Sequence, residues 1–94
     1  MAIARIFDGK GWTTEQYDEL LKQLLEGLGR GRRTGPGVLF HWSAATDNGM
    51  RAVDVYETRE AADELAGHIV PLVQTLGLAM PEITEFELHG YLTP

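Results

Sequence analysis

The sequence predicts an α+β fold, strand–helix–strand–strand–helix–strand, in which two helices cover one face of a four-stranded antiparallel sheet. This is the ferredoxin-like βαββαβ arrangement. Three observations predict it. A stripe of leucines at helical spacing follows a short β-branched strand, a tight turn separates two apolar runs, and a second threonine-capped helical run gives way to a last alternating strand.

Residues 2–7, AIARIF, read as the first strand, ended by Asp8, Gly9 and Gly11. TTEQYDELLKQLLEGLG follows as a helix. Thr13 is its N-cap and Gln16, three residues on, completes a capping box. Tyr17, Leu20, Leu21, Leu24, Leu25 and Leu28 form one apolar stripe, and Gly29 stops the helix. The loop GRGRRTGPG leads into VLFHWSAATDNGMRAVDVYE, a hairpin over residues 38–57. Thr58 caps the second helix, REAADELAGHIV. Pro71 lacks an N–H and disfavours helical angles at Val70, so a kink or a restart at PLVQTLG is expected. ITEFELHGYL is the last strand, with Thr84, Phe86 and Leu88 alternating against Glu85, Glu87 and His89.

A chain of 94 residues is read as one domain, 1–94. A chain of this size buries only roughly 60–65% of its unfolded surface. One face of the sheet has no helix to cover it, so a homodimer through that face is expected. With 8 basic against 14 acidic residues the net charge is −6, which repels nucleic acid and anionic membranes. Cysteine is absent, excluding disulfides, thiolate metal sites and a thiol nucleophile. The N-terminus MAIARIFDGKGW has no leader pattern and no long apolar run occurs, so the expected setting is cytoplasmic.

The hairpin holds the chemistry. It places His41 and Asp54 inside apolar runs, where an unpartnered polar group costs about 1–3 kcal/mol. Asn48-Gly49 favours a two-residue type I′ turn, which pairs Ser43 with Asp54 and His41 with Tyr56. A four-residue loop, Thr46 to Gly49, sets His41 opposite Asp54 instead. Both registers put Leu39, His41, Ser43, Ala52, Asp54 and Tyr56 on one face, and Val38, Phe40, Trp42, Val53 and Val55 on the other, read as a core layer. The polar cluster is either a satisfied seam at a sheet rim or subunit interface, or the lining of a small-molecule pocket. In a pocket, His41 is the acid–base group, Asp54 orients its ring and Tyr56 offers a hydroxyl.

Other signals are weaker. GRGRRTGPG gathers Arg30, Arg32 and Arg33 but lacks both phosphate-loop patterns and precedes a strand, so a solvated connection is the reading. Trp12 is a staple or a lid over the sheet, with ligand stacking as the second reading; Ser43, Trp42 and His68 are further ligand-binding candidates. Arg5, a further ligand-binding candidate, requires a partner such as Asp54 or Glu85 if buried, and an Arg5–Asp54 pair competes with His41–Asp54. No histidine–carboxylate spacing supports a metal site.

The layout, and above all VDVYETREAADELAGHIVPLVQTLG, resembles the dimeric α+β barrel superfamily, and within it domains of the antibiotic-biosynthesis-monooxygenase type. In these a strand ends in an aromatic residue, followed by Glu, then Ser or Thr, then an acidic helix. Tyr56, Glu57 and Thr58 match, although many such domains carry tryptophan where this chain has Tyr56. The resemblance implies a homodimer and a cofactor-independent monooxygenase, cyclase or isomerase acting on an aromatic or polyketide-like compound. The asparagine–tryptophan–tyrosine set of characterised members is not recognisable. Haem-degrading relatives pair a strand-end aromatic with a helix histidine, the place of His68, but their asparagine is missing from AIARIF, so haem is not expected. The alternative is a non-catalytic ligand-binding or dimerisation module. An enclosed cavity of about 300 Å3 or more touching His41 favours the enzyme, and a sheet packed tight on its helices, with no void, favours the module.

Overall fold

A computed structural model describes residues 2–29 and 37–90. The elements are β1 (Ile3–Lys10), α1 (Thr14–Leu28), β2 (Val38–Thr46), β3 (Gly49–Tyr56), α2 (Arg59–Thr75) and β4 (Glu82–Glu87). They form an antiparallel sheet in the order β2-β3-β1-β4, so the ferredoxin-like α+β prediction holds. The arginine loop, Arg30, Arg32 and Arg33, lies outside the described residues. Among the described residues no helix is long and apolar enough to cross a membrane.

The helix ends follow their sequence signals. Thr13 Oγ1 accepts from the Gln16 N–H at 3.1 Å, and the Gln16 side chain accepts from the Thr13 N–H at 2.9 Å. Thr58 Oγ1 likewise accepts from the Ala61 N–H at 3.1 Å. Of the kink or restart expected at Pro71, the restart does not occur: α2 runs through the proline as one helix. Pro71 and Gly67, whose carbonyl would clash with the proline ring and loses its N–H partner, both face solvent. A carbonyl on the solvent side of a helix is free to tilt outward toward water, which lets the helix accommodate a proline.

Strand lengths differ from the sequence reading at both ends. β1 continues through Asp8 and Gly9 to Lys10, because Asp8 pairs across to Arg51 and Gly9 to Met50. β4 stops at Glu87, so His89 follows the strand instead of lying on it.

The hairpin adopts the second of the two registers. Thr46 pairs with Gly49, Ala45 with Met50 and His41 with Asp54. The Asn-Gly pair therefore does not form the centre of a type I′ turn. Gly49 is required for another reason: its φ is +153°, and a Cβ there would overlap the Gly9 carbonyl oxygen. The end of β1 lies against this turn, with the Gly11 N–H donating to the Asn48 carbonyl at 2.7 Å.

Register places side chains on two faces. The helix-covered face carries Ile3, Arg5 and Phe7 of β1, with Met50, Ala52, Asp54 and Tyr56 of β3, His41 and Ser43 of β2, and Ile83 and Glu85 of β4. The open face carries Ala4, Ile6, Phe40, Trp42, Val53, Val55 and Phe86. Two corrections follow. A bulge between Val38 and Phe40 turns Val38 inward, where it packs on Ile3, Tyr56 and Ala62, and removes Leu39 from the His41 side. Phe40 and Trp42, read as a core layer, are 49% and 41% exposed, because the helices lie on the opposite side of the sheet.

Candidate functional site

A cavity of about 80 Å3, partly open to solvent, lies between the sheet and α1. The leucine stripe builds its roof: Leu20, Leu21, Leu24, Leu25 and Leu28 line it together with Tyr17. Phe7, Met50 and Ala52 form the floor, Leu65 and Ile69 of α2 one wall, and Trp12 another. Trp12 is buried over Gly9, where a Cβ would collide with the indole, and its Nε1–H donates to the Ala79 carbonyl at 2.9 Å. That bond ties the start of α1 to the segment leading into β4.

Three polar side chains enter this apolar lining: Tyr17, His41 and Asp54. They form part of a continuous hydrogen-bonded chain. Tyr17 Oη lies 2.9 Å from His41 Nε2, His41 Nδ1 bonds Asp54 Oδ1, and the Tyr56 hydroxyl donates to Asp54 Oδ2 at 2.7 Å. Asp54 is 5% exposed and Tyr56 fully buried. With each carboxylate oxygen accepting a bond, no buried side-chain polar atom is left without a partner among the described residues.

The chain fixes protonation. Burial raises the ionisation of Tyr56 far above the ordinary tyrosine value, and the Asp54 charge adds to it. Burial also raises that of Tyr17, opposed by a hydrogen bond from Ser43. Both phenols are therefore O–H donors at neutral pH. Asp54 accepts from Tyr56 on one oxygen and from His41 Nδ1–H on the other, leaving Nε2 as the acceptor for Tyr17. The Nδ1–H tautomer satisfies both neighbours of the imidazole, with the Asp54 carboxylate behind the ring.

The sequence-derived candidates separate cleanly. His41, Asp54 and Tyr56 come together, and Trp12 walls the cavity. Ser43 is exposed on the edge strand and lies outside the lining. Arg5 does not pair with Asp54, although the two are cross-strand partners. It binds Asp63 at 2.7 Å and Glu85 at 2.9 Å, and Arg59 shares Glu85 at 2.9 Å. His41 already fills the accessible Asp54 oxygen, so Arg5 turns to α2 and β4. Trp42 is on the open face and His68 is exposed on α2, so neither lines the cavity. Among the described residues no group of three or more histidines and carboxylates is placed to hold a metal.

Tyr17 is the member that sequence reasoning missed. It sat in the apolar stripe of α1 and was counted as core. The only signal was its phenol, the single polar atom in a stripe otherwise made of leucines.

No protein-family model matches the chain, and no curated protein sequence matches it. Solved structures do share its fold. A protein from Chloroflexus aurantiacus assigned as an antibiotic biosynthesis monooxygenase is 18% identical, with a TM-score of 0.67 over 99% of this chain and 98% of that one. A mutant of SnoaB, a cofactor-independent oxygenase from Streptomyces nogalater, is 18% identical, with a TM-score of 0.62 over 99% and 96%. The ActVA-Orf6 monooxygenase of Streptomyces coelicolor, solved with nanaomycin D, is 19% identical, with a TM-score of 0.56 over 99% and 91%.

Proposed function

We propose, from the fold shared with antibiotic-biosynthesis-monooxygenase-like proteins, that this chain binds a small aromatic or polyketide-like ligand beneath α1. We further propose that it acts on that ligand as a cofactor-independent monooxygenase. The observation that carries this reading is the Tyr17–His41–Asp54–Tyr56 chain running into a cavity that is otherwise apolar. Such a site desolvates a ring and supplies one imidazole as a base, backed by a buried carboxylate. Removing a proton from an activated aromatic gives an electron-rich anion. That anion reduces dioxygen directly, without a bound cofactor.

Volume sets a condition. At about 80 Å3 the cavity falls well short of the ~300 Å3 typical of a drug-sized site. A fused-ring ligand must leave part of itself at the open mouth, or lift the leucine face of α1 from the sheet. The open sheet face supports a homodimer: Phe40, Trp42 and Phe86 are 49%, 41% and 51% exposed on one surface.

The reading is tested by thermal shift with a panel of hydroxylated aromatic compounds. A ligand at a hundred times its Kd adds about 2.7 kcal/mol, a rise of several degrees in Tm. The rise is expected in the wild type and is smaller in His41→Ala. If no compound raises the wild-type Tm, the ligand reading falls and the non-catalytic dimer module stands in its place.

A further inference from the structure

We propose that Tyr17, and not His41 directly, is the acid–base group that meets the ligand, with His41 and Asp54 acting through it as a relay. The inference rests on the ligand-binding reading above and goes beyond it in naming the contact atom. His41 has two ring nitrogens and both are engaged, Nδ1 by Asp54 and Nε2 by the Tyr17 hydroxyl at 2.9 Å. Both His41 and Tyr17 line the cavity, but a ligand reaches Nε2 only by breaking the Tyr17 bond, while the Tyr17 oxygen can take a second partner without losing the first. Having donated its proton toward Nε2, the phenolic oxygen keeps lone pairs to accept one.

The transfer is a concerted double shift. The ligand O–H or C–H bond breaks as a new O–H bond forms on Tyr17. The original Tyr17 O–H bond breaks as an N–H bond forms at His41 Nε2. The ligand is left as an anion and His41 as an imidazolium, paired with Asp54 through Nδ1–H, and Tyr17 ends as the neutral phenol it began as. No electron changes owner in this step. Tyr56 never meets the ligand; it is a positioning residue that fills the second Asp54 oxygen and turns the first toward His41.

A purely structural Tyr17 would satisfy His41 and do nothing else, and para-nitrophenol separates the two roles. Its ionised form is coloured, so the ionisation of the bound probe is read directly, while imidazole nitrogen NMR reports the proton on His41. In the wild type the bound probe is expected to be ionised, with His41 gaining a proton as the probe binds. Tyr17→Phe keeps the ring that packs the cavity, and is expected to bind the probe yet ionise it at least tenfold less. His41→Gln is expected to leave the bound probe neutral. Should Tyr17→Phe ionise the bound probe as fully as the wild type, the relay is overturned and the cavity reading survives. Binding to the wild type without ionisation, or without proton gain at His41, also overturns it. If the wild type does not bind para-nitrophenol at all, the relay falls, and the aromatic panel decides separately whether the cavity reading falls with it.

Discussion

The two faces of the sheet invert the usual relation between polarity and burial. The covered face holds Asp54, Tyr56 and His41 under a helix, while the open face displays Phe40, Trp42 and Phe86 to solvent. Each face departs from the rule for a different physical reason. Buried polar groups persist when every donor and acceptor is satisfied, and here they satisfy one another in a line. Exposed aromatics gathered on one strand surface are the observation that supports the proposed dimer through that face. The covered face thus holds the proposed chemistry and the open face the proposed association.

The comparison breaks most severely at Asp54. Asp54→Ala leaves His41 Nδ1 and the Tyr56 hydroxyl without acceptors beneath the helices, at about 1–3 kcal/mol for each orphaned group. We expect a loss of about 2–5 kcal/mol in urea unfolding, and an unchanged midpoint would show that the covered face does not depend on its polar chain. The counterpart on the open face is Trp42→Glu. A charge placed in the proposed dimer seam costs about 3 kcal/mol, or roughly a hundredfold in the dimer constant by sedimentation. A chain that sediments as before would remove the open face from the proposed dimer.

The smallest effect is expected at the rim, where Glu85 links β4 to Arg5 and Arg59. The Arg59 hydrogen bond, then that of Arg5, holds the Glu85 carboxyl below the usual range. A lowered folded value means that the contribution is full above the unfolded pKa, about 4.3, and disappears as pH falls through the folded one. Glu85→Gln should therefore be slightly less stable than the wild type at neutral pH, with the two unfolding curves converging in acid below that range. Curves that stay apart in acid would place the effect in packing instead of charge.

Much of this was legible in the residues. Thr13 with Gln16, and Thr58, marked both helix starts because capping is a local contest between a side chain and a few backbone amides. The alternation of the hairpin placed His41, Ser43, Asp54 and Tyr56 on one face, since any even loop preserves parity. The choice between registers was not legible. It depended on Gly49 fitting against Gly9, a contact between residues far apart in sequence. Val38 was misplaced for a similar reason, because nothing local announces a bulge at Leu39. Tyr17 was missed because a phenol in a leucine stripe reads as packing until its hydroxyl is seen to meet another strand.

Sequence by itself determined the order of elements, the helix caps and the shared face of His41 and Asp54, because these rest on periodicity and neighbours within a few residues. Tertiary structure decided which face the helices cover, which of Arg5 and His41 binds Asp54, and that Tyr17 completes the chain. Those outcomes depend on how α1 and α2 settle across the sheet, and residues distant along the chain compete for the same carboxylate only once they have been brought together.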